Sequence, residues 1–326
     1  MLVAVIGAGF IGMLHRKAWE ANGASVKVMV DPFLPEDKKR SLRAEGVEVM
    51  DDLDAAYALC PDIEAVSICT PPGHHPADLT AALRRGAAVL LEKPVAVNKR
   101  AYLSMLREAE ERGAKVMIGL TQRFYPEVRQ AAAWIREGKI GRPVSLHDAM
   151  ILNGDGLPRW YEDLDMSGGG VWITNGVHLL DRLQFLLDRS LGTLYHADIS
   201  KDERGLDRMA DVSGTLSDGM PFHLHLKWSR VQAFQRTIIY GTEGSIELET
   251  WRQAVLYDAS GEVVQVTPYR QEESFEQRTL RGLIPEIRTF VEGLQGEFPA
   301  GLTLDGHLPT MEAIWQAYDM AQRSRP

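Results

Sequence analysis

A doubly wound α/β domain followed by an α+β domain with an open, mainly antiparallel sheet is the fold class the sequence predicts. Three observations predict it. Short apolar runs alternate with helical patterns from residue 1 to about 120, the texture of a mostly parallel sheet with right-handed crossovers. Beyond that point, strand-like runs follow one another with turn pairs such as Asp218-Gly219 and Ser260-Gly261, which suit antiparallel hairpins. The length of 326 residues suits two domains at roughly 100–200 residues each. The expected division is 1–120 and 121–326.

Taken in order, the first apolar runs are LVAVI, SVKVMV, VEVM, AVSIC, AAVLL and KVMIG. Helical stretches such as HPADLTAALRRG and NKRAYLSMLREAEERG lie between them and close on glycine, a common helix stop. FYPEVRQAAAWIREG reads as a further helix. Then come PVSLHDAMIL, YHADIS, MADVSGTLSDG, PFHLHLKW, RTIIYG, SIELE, AVLYD and EVVQV. In PFHLHLKW, Phe222, Leu224, Leu226 and Trp228 alternate with His223, His225 and Lys227, as in a strand with one wet face. TLRGLIPEIRTFVEGL and GHLPTMEAIWQAYDMAQ end the chain as helices. An open sheet leaves a face to cover, so a homo-oligomer, dimer or tetramer, is expected through the C-terminal sheet.

Composition narrows the partners. The apolar fraction is 45%, the charged fraction 25% and the formal charge −9. This is ordinary for a globular protein, and without a basic stripe nucleic acid is not expected. The apolar start lacks a basic lead and is broken by glycines, unlike a secretory leader. No run approaches the roughly 18 apolar residues of a membrane span. Two cysteines, Cys60 and Cys69, make no disulfide framework, and Cys69 reads as a small core residue. A cytoplasmic location is expected.

The first strand runs into Gly7-x-Gly9-x-x-Gly12, and Asp31 closes the second strand. This is the order a dinucleotide site needs: a tight turn, a backbone that lets a pyrophosphate approach, close packing of helix on strand, and an acid about 20 residues on. Phe10 and Ile11 fall inside the loop and join the expected cofactor-binding set. Asp31 can accept from a ribose 2′-OH and would repel a 2′-phosphate, which favours NAD over NADP. Ligands of such sheets lie beyond the strands' carboxyl ends, so the loops after strands four and five matter. The first offers Thr70, Pro71 and His75, and the second Glu92 and Lys93. A partly buried lysine there can donate to a substrate hydroxyl. Position alone leaves Lys93 equally readable as the ion-pair partner of Glu92 or as a solvated side chain.

In the second half, SGGGVWITNGVHLLD places three glycines before His178. Thr174 or Asn175 is expected to cap a helix whose first turn holds His178. Its positive end would favour a neutral, base-competent ring, although a histidine held in a polar helix face fits as well. Arg123, Arg159 and Trp160, with Tyr161, are further substrate-facing candidates, and each is also readable as ordinary surface or core. His223 and His225 share a strand face without a third ligand, so no metal site is expected.

These motifs together resemble the glucose–fructose oxidoreductase / inositol dehydrogenase (Gfo/Idh/MocA) family. VAVIGAGFIGMLHRKAW resembles its cofactor loop, TPPGHHPADLTAALRRGAAVLLEKPVAV its T-P-x-x-x-H and E-K-P stretches, SGGGVWITNGVHLLD its G-G-G and G-x-H-x-x-D segment, and YGTEGSIELE its late hairpin. The resemblance covers nearly the whole chain. It implies an N-terminal Rossmann domain and a nicotinamide cofactor. It also implies chemistry at a hydroxyl-bearing carbon of a sugar, polyol or cyclitol, with Lys93 and His178 at the reacting centre and Thr174 and Asn175 nearby. The family often carries an aspartate four residues before the histidine. Here that place holds Thr174, which leaves the acid–base role to His178 and Lys93. Two other readings stay open: a non-catalytic dinucleotide-binding regulator, and a relative that uses NAD transiently to hydrolyse glycosides or acts on a non-sugar substrate.

Overall fold

A computed structural model describes residues 1–230, 233–268 and 273–323. Six parallel strands form the first sheet: β1 (Leu2–Ile6), β2 (Ser25–Val30), β3 (Glu48–Met50), β4 (Ile63–Ile68), β5 (Ala88–Glu92) and β6 (Val116–Gly119). Their order is β3-β2-β1-β4-β5-β6. The crossover helices are α1 (Phe10–Ala21), α2 (Glu36–Ala44), α3 (Leu53–Leu59), α4 (His75–Arg84) and α5 (Lys99–Glu111). Central strands are apolar on both faces because helices cover both. Val3, Val5, Val66, Ile68, Val89 and Leu91 are all at 0% exposure. Asn98 caps α5 by accepting from Ala101 N at 2.9 Å, and Asp52 caps α3 by accepting from Ala55 N at 2.7 Å, as short polar residues do at helix starts.

The second part contains α6 (Pro126–Arg136), β7 (Pro143–Asn153), α7 (Leu164–Ser167), α8 (Val177–Leu187), β8 (Leu191–Lys201), β9 (Asp207–Leu216), β10 (Pro221–Ser229), β11 (Phe234–Gly241), β12 (Gly244–Glu249), β13 (Gln253–Asp258) and β14 (Val263–Val266). Two long helices follow, α9 (Phe275–Leu294) and α10 (Leu304–Arg323). The eight strands run β14-β13-β12-β11-β7-β10-β9-β8, with β7 and β10 parallel and every other neighbour pair antiparallel. On β10, Phe222, Leu224, Leu226 and Trp228 point inward, while His223 and His225 lie on the open face. Both His223 and His225 meet the carboxylate of Asp211, at 3.1 and 2.9 Å. Among the described residues no group of three His, Cys, Asp or Glu side chains is placed to hold a metal. Among them, too, no helix is long and apolar enough to cross a membrane.

The compact units differ from a simple split at residue 120. The first joins Met1–Leu120 with Phe275–His307, and the second joins Thr121–Ser274 with the chain from Leu308 onward. The second unit is therefore not the continuous 121–326 expected. The reason is apolar: α9 carries Leu283, Ile287 and Phe290, all buried. Phe290 packs edge-on against Trp19 of α1 at 5.5 Å between centroids. A helix with such a face goes where it can be covered.

Candidate active site

The first unit builds a phosphate cradle at the carboxyl ends of β1, β4 and β5. Gly7 has φ +90, a conformation that favours glycine, and a Cβ there would meet the Cys69 carbonyl oxygen at 2.8 Å. A Cβ on Gly12 would sit 1.8 Å from the Gly7 carbonyl oxygen, so α1 can start this close to the strand only without a side chain. Gly9 has nothing within 4 Å of its Cβ position. That open space beside the first N–H groups of α1 fits a pyrophosphate. Phe10 is exposed and stacks on Phe275 at 5.7 Å. Asp31 accepts from Ala8 N at 2.9 Å and from Phe33 N at 3.0 Å. Its carboxylate thus braces the glycine loop, a role the sequence reading did not contain. Gly12→Ala is expected to raise the Kd for NADH at least about tenfold, since overpacking costs about 1–3 kcal/mol. Fluorescence titration checks it, and an unchanged Kd would show that the turn tolerates a methyl group.

Next to the cradle, Thr70 donates through its hydroxyl to Asp78 at 2.5 Å. His75 is fully buried, with Nδ1 3.1 Å from the Val95 carbonyl and Nε2 2.9 Å from the Thr70 carbonyl. The ring therefore braces the loops after β4 and β5. Burial holds it below the ordinary histidine value, against the pull of the two carbonyls. Cys69 lies just past β4 and is half-buried. It is a wall of the glycine turn rather than the core residue expected.

Lys93 follows β5 directly, half-buried and joined to Pro94 by a cis peptide bond. Burial pushes its ammonium below the ordinary lysine value, against the attraction of Glu92. Glu92 is itself buried, which acts to raise it. The hydrogen bond from His15, together with the charge and N–H of Lys93, outweighs that and holds it below the usual carboxylate range. Its Oε2 accepts from Lys93 N at 3.1 Å and its Oε1 faces His15 Nε2 at 3.0 Å. Glu92 thus works as a brace. The sequence reading missed His15, whose signal was a histidine on the apolar face of α1, between Leu14 and Trp19.

In the second unit the three glycines wrap around Asp207. Its carboxylate accepts from Gly170 N and Trp172 N, both at 2.6 Å, and from the Tyr318 hydroxyl at 2.9 Å. A Cβ on Gly170 would lie 2.0 Å from the Asp207 carbonyl oxygen, which explains the glycine. Trp172–Gly176 is a π-helical turn that runs straight into α8. Neither Thr174 nor Asn175 is therefore the helix cap expected. The Thr174 hydroxyl donates back to the Gly170 carbonyl at 2.6 Å, and Asn175 Oδ1 accepts from Trp228 Nε1 at 3.1 Å. His178 sits inside a continuous helical run, 9% exposed, so the helix-end argument for a neutral ring does not apply.

Arg123 grips Asp181 of α8, with Nε donating at 2.8 Å and Nη2 at 2.6 Å. Burial acts to lower the guanidinium, and Asp181 more than restores it. Arg182, fully buried, pairs with Asp148 and donates to Gln122 at 2.5 Å and Thr250 at 3.0 Å. The two charges beside His178 on α8 are thus anchored to the sheet and to the turn before α6. Trp160 stacks on Tyr161 at 3.8 Å, and Tyr161 meets Trp228 edge-on at 5.8 Å. Arg159 is exposed at the start of the same short turn. A cavity of about 390 Å³ opens beside Tyr161 and Trp228, with Arg204, Arg208 and Arg230 in its wall.

The glycine cradle makes this a dinucleotide-binding protein of the doubly wound class. Residues 1–120 match the oxidoreductase family described as an NAD-binding Rossmann fold, and residues 128–247 match the GFO/IDH/MocA C-terminal domain. The chain belongs to the GFO/IDH/MocA oxidoreductase family, and NAD is the cofactor of its fold. A 2,7-anhydro-N-acetylneuraminate hydratase of Mediterraneibacter gnavus is 29% identical over 259 residues, 76% of this chain and 66% of the relative. The chain thus spans just under two thirds of that protein. The inositol 2-dehydrogenase of Rhizobium meliloti is 26% identical over 301 residues, 89% of this chain and 88% of the relative. Levoglucosan dehydrogenase, solved with NADH and levoglucosan, superposes with a TM-score of 0.86 at 20% identity, covering 100% of this chain and 98% of that one. At that identity the likeness is one of fold.

Proposed function

We propose that this protein is an NAD-dependent oxidoreductase that moves a hydride between the nicotinamide and a hydroxyl-bearing carbon of a sugar, sugar derivative or cyclitol. One observation carries the reading: Lys93 directly follows β5, two strands from β1 and its glycine cradle, at the same carboxyl end of one sheet. The relative named as an inositol 2-dehydrogenase supports the substrate class. When bound, the nicotinamide ring supplies hydride acceptance. Lys93 donates a hydrogen bond to the reacting oxygen, braced by Glu92. His178 takes the hydroxyl proton in oxidation and returns it in reduction. General acid–base help of this kind is worth about 100–10,000-fold. A panel of aldoses, inositols and uronic acids with NAD, followed at the NADH band, tests the reading. No substrate-dependent signal across the panel would count against it.

The hydratase among the relatives favours one second reading, in which NAD is reduced and reoxidised within a single turnover. Product formation without net NADH would select it. Asp31→Asn is expected to narrow the preference for NAD over NADP at least about tenfold, because a carboxylate repels the 2′-phosphate. An unchanged ratio of the two Kd values would remove Asp31 from cofactor choice. We also propose a cytoplasmic homo-oligomer assembled through the open sheet face, on which Phe234 and Tyr240 are 49% and 46% exposed. Light scattering of the purified protein tests the assembly, and a monomer would refute it.

A further inference from the structure

A row of matched donors and acceptors crosses the first unit from α1 to Lys93. Trp19 Nε1–H donates to Ser67 Oγ at 2.7 Å. The Ser67 hydroxyl lies 3.2 Å from His15 Nδ1, and His15 Nε2 lies 3.0 Å from Glu92 Oε1. Lys93 N–H closes the row on Glu92 Oε2. Trp19, Ser67 and His15 are all at 0% exposure, so water cannot replace a missing partner and each bond is costly to lose. The indole can only donate. Ser67 Oγ therefore accepts from it and has its own proton to give to His15 Nδ1. That leaves the His15 hydrogen on Nε2, pointed at Glu92. This tautomer completes every bond in the row.

We propose that His15 is a positioning residue for Lys93: by donating to Glu92 Oε1 it keeps that carboxylate ionised and fixed, and the carboxylate in turn keeps the Lys93 side chain an ammonium. The inference rests on the role given to Lys93 above. Gly119 on β6 leaves room beside the carboxylate, since a Cβ there would sit 3.3 Å from Glu92 Oε1. The other ionisable groups of the first unit that act on Glu92 or its surroundings are Lys93, the Cys69 thiol after β4, His75 at the start of α4 and Glu286 of α9. His75 already faces two backbone carbonyls, and Cys69 is held far toward its neutral form by burial and then by Glu92 and Glu286. Neither stands in for a donor to Glu92.

Glu92 and Lys93 are adjacent in the chain and each charge favours the other, so the two groups titrate as a pair. If Glu92 loses the His15 donor, the proton shared by the pair moves from Lys93 toward the carboxylate, and the amine becomes nucleophilic at lower pH. The experiment acetylates the whole protein with acetic anhydride across a pH series and reads modification at Lys93 by mass spectrometry. It is run on the wild type, His15→Leu and His15→Gln. The expected result is a labelling midpoint about one pH unit or more lower in His15→Leu, with His15→Gln, which can still donate to Glu92 and accept from Ser67, close to the wild type. An unmoved midpoint in His15→Leu, or an equal shift in His15→Gln, would overturn the proposal. Should His15→Leu fail to fold, Ser67→Ala takes its place, with a smaller shift in the same direction expected and no shift overturning it. The pH profile of turnover, measured in parallel, separates the two levels. A shifted labelling midpoint beside an unshifted profile removes Lys93 from the chemistry while leaving the His15 assignment intact.

Discussion

Lys93→Ala and His178→Ala are each expected to lower turnover at least about a hundredfold while leaving the Kd for NADH little changed. The cradle that would hold the cofactor is made of backbone. Gly7, Gly9 and Gly12 shape it, and Asp31 braces it through Ala8 N, so neither alanine substitution touches its main contacts. What Lys93→Ala removes is a cation whose backbone is held in place. The residue follows a strand buried from Val89 to Glu92, precedes a proline and has its N–H tied to Glu92. Such a group can aim a hydrogen bond at a reacting oxygen with little ordering cost. Lys93→Arg should recover little activity, because the wider planar guanidinium does not fit a site shaped for an ammonium. His178 is fixed differently, by a helix whose neighbouring charges are anchored: Asp181 on Arg123 and Arg182 on Asp148. Initial rates with saturating NAD, paired with NADH fluorescence titration, check both. Near-normal turnover in both variants would defeat the assignment of these two residues. Loss of NADH binding in parallel with turnover would turn Lys93 into a cofactor residue alone.

Local signals were legible in the sequence. The glycine spacing marks the cradle because Gly7 and Gly12 meet backbone at distances that forbid a Cβ, while Gly9 leaves open space beside the helix start. The alternation of Phe222 to Trp228 marks a strand with one wet face because strand periodicity is a local property. What could not be read was pairing across long separations. Glu92 finds His15 at 77 positions' distance, Arg182 finds Asp148 at 34, and Gly170 finds Asp207 at 37. No spacing rule encodes such partners. The return of α9 to the first unit was hidden for the same reason: an apolar helix face shows that it will be covered, not by what. Thr174 is the clearest local error. A threonine ahead of a helical pattern reads as a cap, but the backbone runs through a π-helical turn into α8 and the hydroxyl goes back to Gly170 instead.

Asp207→Ala should strongly destabilise the second unit while leaving its apolar core intact. The carboxylate is at 0% exposure and receives Gly170 N, Trp172 N and the Tyr318 hydroxyl. Removing it strands three donors where water has no room, because the glycine backbone is packed against that of Asp207 itself. Each unmatched buried donor costs about 1–3 kcal/mol, so a loss of at least about 3 kcal/mol is expected for Asp207→Ala. Tyr318→Phe removes the donor to Asp207 and the acceptor of Ile173 N at 3.3 Å, and about 1–2 kcal/mol is expected. Asp207→Asn should fall between, since its amide nitrogen meets a donor where an oxygen used to be. Urea melts of the three variants give the ranking. The effect should also reach the chemistry: the π-helical turn that Asp207 pins leads directly to His178, so below its melting point Asp207→Ala should retain NADH binding and lose turnover. A ranking in which Tyr318→Phe costs as much as Asp207→Ala would show that the hydroxyl, not the carboxylate, organises the glycine run.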